Sequence, residues 1–288
     1  MIRRILPSIQ LHCWGGLGSQ LYAWALRLDL EERFPHRRFV LVTHESGVSQ
    51  RASELAPFFP DSVKCVQDFK VNSQKQVHLE AKQKNNDKSR LRVKLKSLFD
   101  QLGFVLNGDK PNEANRIKPW TFQIRGHFSL LSVKPHYIDE IHSKILDFVN
   151  VEKIATFKNK TLIHYRLGDL LTLNDKGPVP PNRVIETIKQ LERAEESKLF
   201  LFSDSPEIAL DWLGQSSIPL LPVNDFSAVE SLMALAESEV LVCTNSKLSV
   251  WASLFRARKE SSNLTYVPIE IEHHLHSNYP QLTNIVYY

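Results

Sequence analysis

The first forty residues carry the pattern that most limits the fold. Ser8–Cys13 alternates like a short strand, Trp14–Ser19 is a glycine turn, and Gln20–Phe34 sets Leu21, Trp24, Ala25 and Leu28 at the i, i+3, i+4, i+7 spacing of a helix. Pro35 follows, and Phe39–Thr43 (FVLVT) reads as a second, buried strand. Strand, turn, helix, strand in this order predicts the start of an open α/β sheet. Glycine sharpens the point. The chain has only 10, and three of them are Gly15, Gly16 and Gly18, where the backbone must turn sharply or come close to something.

A second series starts anew at Thr161–Tyr165 (TLIHY). Strands are predicted at Lys198–Phe202, Val240–Thr244 and Thr265–Val267, and helices at Pro181–Ala194, Pro206–Leu213, Val229–Glu237 and Leu248–Arg256. Between the series, 45–118 is polar, basic and weakly periodic, and Phe122–Leu131 with a helical stretch Pro135–Val149 closes the first half. The restart predicts two Rossmann-like domains, 1–150 with a basic insertion at about 45–118, and 151–288 with a C-terminal tail. A cleft between two such halves is a usual place for a ligand.

Composition removes several classes. With 42% hydrophobic and 24% charged residues the chain is neither disordered nor fibrous. No apolar run reaches the roughly 18 residues of a membrane span, and Met1–Pro7 leads into no apolar signal segment. Cys13, Cys65 and Cys243 show no CxxC spacing and fit reduced structural thiols, so a cytoplasmic location is expected. The net charge of +4 is uneven: Lys70–Lys96 holds nine Lys or Arg against Glu80 and Asp87. That segment lacks aromatics, which speaks against nucleic-acid stacking and leaves a solvated surface or an anionic-membrane footprint.

Four stretches carry chemistry. Trp14–Leu21 offers turn amides and a helix start, which suit an anion, but it is neither a dinucleotide loop nor a P-loop. His164-Tyr-Arg-Leu-Gly-Asp169 follows a strand, and alternation is expected to turn His164 and Arg166 to one side. Arg166 suits a phosphate, while Asp169 could fix Arg166, fix His164 or act as a base. In Leu201-Phe-Ser-Asp204-Ser-Pro, Ser203 or Asp204 could cap a helix or meet a ligand. From Asp225 to Trp251 a strand delivers Thr244, Asn245, Ser246 and Lys247 to a helix start, a second candidate anion site. The chain has no D-x-D, HExxH or GxSxG, and His273, His274 and His276 lack metal-ligand spacing, so no metal is expected.

Taken in order, these stretches resemble the α-1,2-fucosyltransferases of glycosyltransferase family 11 and their α-1,6- and protein O-fucosyltransferase relatives. Gly15–Gln20 is similar to the family's GGLGNQ, His164–Asp169 to HxRRGD, and Phe202–Ser205 to its FSDD-like strand end. Asp225 with Asn245–Trp251 is similar to the late aspartate and NSTFSWW, and Gly126-His-Phe-Ser129 to G-Y-[FW]-Q. Five positions depart: Ser19, Leu167, Lys247-Leu248 and Val250 replace the family's asparagine, second arginine, Thr-Phe and first tryptophan. The resemblance implies a GT-B fold, two Rossmann-like domains facing each other across a cleft, with the first on the acceptor side. It implies inverting, metal-independent transfer of fucose from GDP-fucose to a hydroxyl of a glycan, α-1,2 to galactose, with no cofactor beyond that donor.

The resemblance also implies roles. Arg166 would hold the β-phosphate, and His164 and Asp225 would recognise guanine. Asp204, Asn245, Ser246 and Lys247 would lie along the donor, and Gly16, Gly18 and Ser19 would face donor and acceptor. Asp169 is the favoured base and Asp175 the runner-up. Lys247 is expected to return the positive charge that Leu167 removes. The acceptor would be a glycan or lipid-linked oligosaccharide, not nucleic acid, reached at the inner membrane face through 70–96. The alternatives are another nucleotide sugar or linkage, or a non-catalytic GDP-sugar-binding protein.

Overall fold

The computed structural model describes residues 8–44, 53–57, 63–66, 98–99, 101–109, 116–128, 131–172, 177–192, 198–214, 219–257, 263–272, 275 and 284–288. The basic run 70–96, Asp175 and the histidines at 273, 274 and 276 lie outside the described residues. The chain divides into two units after Val133.

In the first unit, β1 (Ile9–Trp14), α1 (Leu17–Arg33), β2 (Phe39–His44), β3 (Val63–Val66), β4 (Val105–Asn107) and β5 (Gln123–Gly126) follow one another. The strands form one parallel sheet in the order β3-β2-β1-β5-β4. β2 is buried along its whole length, as expected of a parallel strand covered on both faces. α1 packs on β1 and β2 and buries Leu21, Tyr22, Trp24, Ala25, Leu26 and Leu30. It starts at Leu17, a turn earlier than the apolar spacing predicts, because the Gly16 carbonyl accepts from the amides of Ser19 (2.9 Å) and Gln20 (3.3 Å). The stretch 45–118 is not only an insertion. β3 and β4 lie inside it, and strands of four and three residues are too short to show a period.

The second unit runs from Lys134 through α2 (Pro135–Leu146), α3 (Val151–Ala155), β6 (Thr161–Tyr165), α4 (Pro181–Glu192), β7 (Leu199–Ser203), α5 (Pro206–Gly214) and β8 (Leu220–Pro222). It continues with α6 (Ala228–Glu237), β9 (Val240–Cys243), α7 (Lys247–Ala257), β10 (Leu264–Val267) and β11 (Ile285–Tyr287). The boundary therefore precedes α2 and does not fall near 150. α2 buries Tyr137, Ile138, Ile141, His142 and Ile145, and the His142 ring meets Phe255 of α7 edge-on at 5.0 Å. An amphipathic helix shows that it has a buried face but not which sheet it covers.

The second sheet is parallel in the order β11-β10-β9-β6-β7-β8. Counted from β6 this is 3-2-1-4-5-6, the doubly wound Rossmann order. On one face Ile163, Tyr165, Leu199, Leu201 and Val242 pack with Val184 and Ile188 of α4 and Ala209 and Leu213 of α5. Leu167 joins this core with no exposure. On the other face Cys243 meets Ser249 and Ser253 of α7, each at 3.9 Å, and burial raises its thiol pKa to about 11. No described helix is long and apolar enough to cross a membrane.

One buried cation organises the amino-end side of this sheet. Arg256, in the last turn of α7, donates to the carbonyls of Leu235, Ser238, Glu239 and Leu264 and to Thr265 Oγ1. Burial lowers its pKa to about 10, so it keeps its charge at neutral pH. Its place at a helix C-terminus also favours that charge.

Candidate functional site

In a doubly wound sheet, ligands bind beyond the carboxyl ends of the strands, where the chain order reverses. In the second sheet that point lies between β6 and β9. At the ends of these strands lie His164–Asp169 and Thr244–Lys247, two of the four chemistry-bearing stretches. They are joined directly. The Arg166 amide donates to Thr244 Oγ1 (2.8 Å), and Thr244 Oγ1 donates to the His164 carbonyl (3.0 Å). His164 Nδ1 lies 2.8 Å from Ser249 Oγ of α7.

Arg166 is held on both sides. One terminal nitrogen donates to Asp204 and the other to Asp169. Asp204 also accepts from the Leu167 amide at 2.9 Å. Asp169 thus fixes Arg166, one of the three roles open to it. Two carboxylates share one guanidinium, one on each terminal nitrogen, and its five N–H groups exceed what these two contacts use. Gly168 makes the packing possible. Its φ is +26°, and a Cβ there would lie 2.2 Å from Asp204 Oδ2.

His164 and Arg166 do not converge on one partner. His164 turns into α7 and is 6% exposed, whereas Arg166 lies beyond the end of β6 and turns to Asp204 and Asp169. Alternation holds only within a strand, and β6 ends at Tyr165. Burial lowers the His164 pKa to about 4, with Asp204 opposing and Arg166 reinforcing, so the ring is neutral at neutral pH. Leu167 faces the core, so its side chain removes no charge from this edge, and the compensation expected of Lys247 does not follow.

The neighbouring strands extend the same edge. Ser246 caps α7, with its Oγ accepting from the Leu248 amide at 3.1 Å, and Lys247 opens that helix beside the half-buried Asn245. Asp225 lies exposed in the loop after β8 with φ +63°. Lys153 Nζ holds the Asp225 carbonyl (2.6 Å) and Glu230 (3.2 Å), and lies 3.9 Å over the Phe226 ring. Phe226 packs edge-on against Phe157 and Phe202, which ties this loop to β7 and to the segment before β6.

The other motif residues belong to the first unit, again at a reversal of strand order, here between β1 and β5. Gly15 has φ +97° and its carbonyl accepts from Gln20 Nε2 at 3.1 Å. Gly16 is the extended N-cap of α1, and Gly18 and Ser19 are buried in its first turn. Gln20, which the sequence places in the glycine motif and at the start of a helix, has a further role: its Oε1 accepts from the amides of Glu54 (3.0 Å) and Leu55 (3.1 Å). Opposite this turn, the His127 ring reaches the Trp14 carbonyl at 3.0 Å.

Sequence reasoning missed a polar face on this sheet. His12 Nδ1 lies 2.8 Å from His44 Nε2, and the Trp14 ring stacks on His44 at 4.6 Å and 10°. Arg125 donates to Gln123 Oε1 (3.1 and 2.5 Å), while Gln10 Oε1 lies 3.1 Å from His12. Burial, reinforced by Arg125, brings both histidine pKa values to about 4. The available signal was the alternation of Gln10, His12 and Trp14 in a strand that a parallel sheet buries on both faces. Among the described residues no three His, Cys, Asp or Glu are grouped to hold a metal.

No family model matches the chain, and no curated protein matches it. Solved structures do. The α-1,6-fucosyltransferase NodZ, known from Bradyrhizobium and soaked with GDP-fucose, is 15% identical over 87% of this chain and 93% of its own, with a TM-score of 0.44. The E. coli heptosyltransferase WaaC with ADP-2-deoxy-2-fluoro heptose is 11% identical over 98% and 92%, with a TM-score of 0.48. A glycosyl transferase family 9 protein from Veillonella parvula is 10% identical over 99% and 87%, with a TM-score of 0.46. The fold assignment rests on the strand order of the two sheets.

Proposed function

We propose that this protein is an inverting, metal-independent glycosyltransferase that takes a GDP-sugar on its second unit and a glycan hydroxyl acceptor on its first. GDP-fucose is the proposed donor, with α-1,2 transfer to galactose as the linkage. The observation that carries the reading is the order of residues along one sheet edge. The adjacent strands β9, β6, β7 and β8 end beside Lys247, Arg166, Asp204 and Asp225. At roughly 4.8 Å per strand this edge spans about 14 Å, a length suited to an extended nucleotide diphosphate.

The leaving diphosphate develops negative charge, and preorganised donors lower the barrier most when aimed at such charge. Arg166 is aimed by Asp204 and Asp169 before the ligand arrives and has N–H donors left for the phosphate. Lys247 adds a second cation at the amino end of α7, where the helix dipole already favours an anion. Asp225, with its backbone locked by Lys153, has its carboxylate exposed for the base. The test is turnover with a panel of GDP- and UDP-sugars and lactose as galactoside acceptor. Transfer from GDP-fucose alone supports the full reading. Transfer from another donor replaces the sugar but keeps the class. Binding of GDP without turnover leaves a non-catalytic binding protein.

A peripheral membrane contact belongs to the same reading. It is supported by exposed Leu98, Phe99 and Leu102, which follow the basic run in sequence, and by exposed Trp120, whose Nε1 donates to the Leu102 carbonyl (2.8 Å). Cosedimentation with vesicles containing phosphatidylserine is expected, and is expected to fall with added salt. Equal recovery with neutral vesicles would remove this contact.

A further inference from the structure

We propose that Lys153 sets the base specificity of the second unit by positioning the Asp225 carboxylate against guanine; this rests on the reading above, in which Asp225 faces the base. The lysine is brought there by a short, anchored helix. Asn150 caps α3, its Oδ1 accepting from the Lys153 amide at 3.1 Å. Ile154 in the helix and Phe157 just past its end are buried, while the Lys153 side chain stays half-buried.

An ammonium carries three N–H donors and no acceptor. Lys153 Nζ meets the Asp225 carbonyl (2.6 Å), Glu230 Oε1 (3.2 Å) and the face of the Phe226 ring (3.9 Å). All three lie within residues 225–230, so one side chain from α3 ties down the loop after β8 and the first turn of α6. Glu230 is itself fixed by the capping box of α6. Its Oε2 accepts from the Ser227 amide (2.8 Å), and its amide donates to Ser227 Oγ (3.2 Å). The Ser227 amide and then Lys153 hold the Glu230 carboxyl below its ordinary pKa, against the effect of burial. Asp225 needs this support. Its φ of +63° is a left-handed conformation, and such backbone persists where the surroundings impose it. With that backbone and its carbonyl held, the exposed carboxylate is confined to a few rotamers.

Guanine presents N1–H and its 2-amino group side by side, a pair of donors that matches the two oxygens of one carboxylate. Hypoxanthine keeps N1–H but lacks the amino group. A site built on such a pair rejects the analogue that lacks one donor. The rejection requires a carboxylate aimed in advance. A carboxylate on a loosened loop loses the discrimination before it loses binding, because the diphosphate still meets Arg166. Lys153 is therefore a positioning residue that acts through Asp225.

The test is calorimetry of the full chain with GDP and with inosine diphosphate, and thermal melts of the same samples. Wild type is expected to bind GDP at least about tenfold more tightly than inosine diphosphate, the scale of one charge-assisted hydrogen bond. Lys153→Met keeps a stem on the Phe226 ring but removes the donors, and is expected to bring this ratio to about threefold or less. Lys153→Gln, whose amide nitrogen stands one bond closer to the backbone, is the second variant and is expected to act alike. In Asp225→Ala the ratio is expected to be lost, and adding Lys153→Met should change it no further. A wild-type ratio in folded Lys153→Met or Lys153→Gln would overturn the proposal. Equal weakening of both nucleotides would do the same, since it marks a merely structural role. Wild type that does not bind GDP would instead overturn the donor reading, and wild type without the preference would overturn the role of Asp225, each taking the proposal with it.

Discussion

Position 168 shows how far one residue type can be dictated by its neighbours. Gly168 combines a left-handed φ with an approach to Asp204 that leaves no room for a methyl group. Gly168→Ala is expected to displace Asp204 from the Leu167 amide and from Arg166. GDP affinity should then fall at least about tenfold, because the arginine loses the partner that aims it. Calorimetry measures this, and an unchanged affinity would free Asp204 from that role. His164 makes a separate prediction. An unfolded histidine titrates near 6.5 and the folded His164 near 4, so the unfolded chain binds more protons between those values. The contribution is complete above the unfolded value and is lost as pH falls through the window, by about 2 kcal/mol on reaching pH 5. His12 and His44 act in the same direction. Urea unfolding at several pH values should show this loss, and His164→Asn should make it smaller.

At the scale of elements, two polar side chains hold pieces together that no periodicity connects. Gln20, 1% exposed, bonds the Gly15 carbonyl and the amides of Glu54 and Leu55, so it anchors both the glycine turn and the 53–57 segment on α1. Gln20→Ala leaves one buried and two partly buried backbone groups without this partner and is expected to cost about 2–4 kcal/mol in a denaturant titration. A loss below about 1 kcal/mol would mean that water or the backbone takes over these bonds. Arg256 is the counterpart in the second unit. Neither residue could be recognised from the sequence, since their partners lie up to 35 residues away and are mostly backbone atoms. Long apolar runs were legible instead: Thr161–Tyr165 is a strand with the bounds its composition suggests. β3, β4, β8 and β11 were not, because three or four residues carry no period.

For the whole molecule, sequence patterns disclosed two parallel α/β sheets and the strand ends that matter, but not the bonds made at those ends. His164–Asp169 and Thr244–Lys247 were visible as separate motifs. Their meeting through Thr244 follows from the position of β9 beside β6, which chain order does not give. Likewise, Gly126–Ser129 was visible as a motif, while the hold of Asp109 on the His127 and Phe128 amides was not. The most direct measurement is GDP binding by calorimetry with EDTA present, in wild type and in Arg166→Ala. Binding by wild type without a metal, weakened about 100-fold in Arg166→Ala while the thermal melt of the unliganded protein is retained, is the expected result. Absence of GDP binding in wild type, or equal affinity in the variant, would contradict a nucleotide diphosphate at the β6–β9 edge.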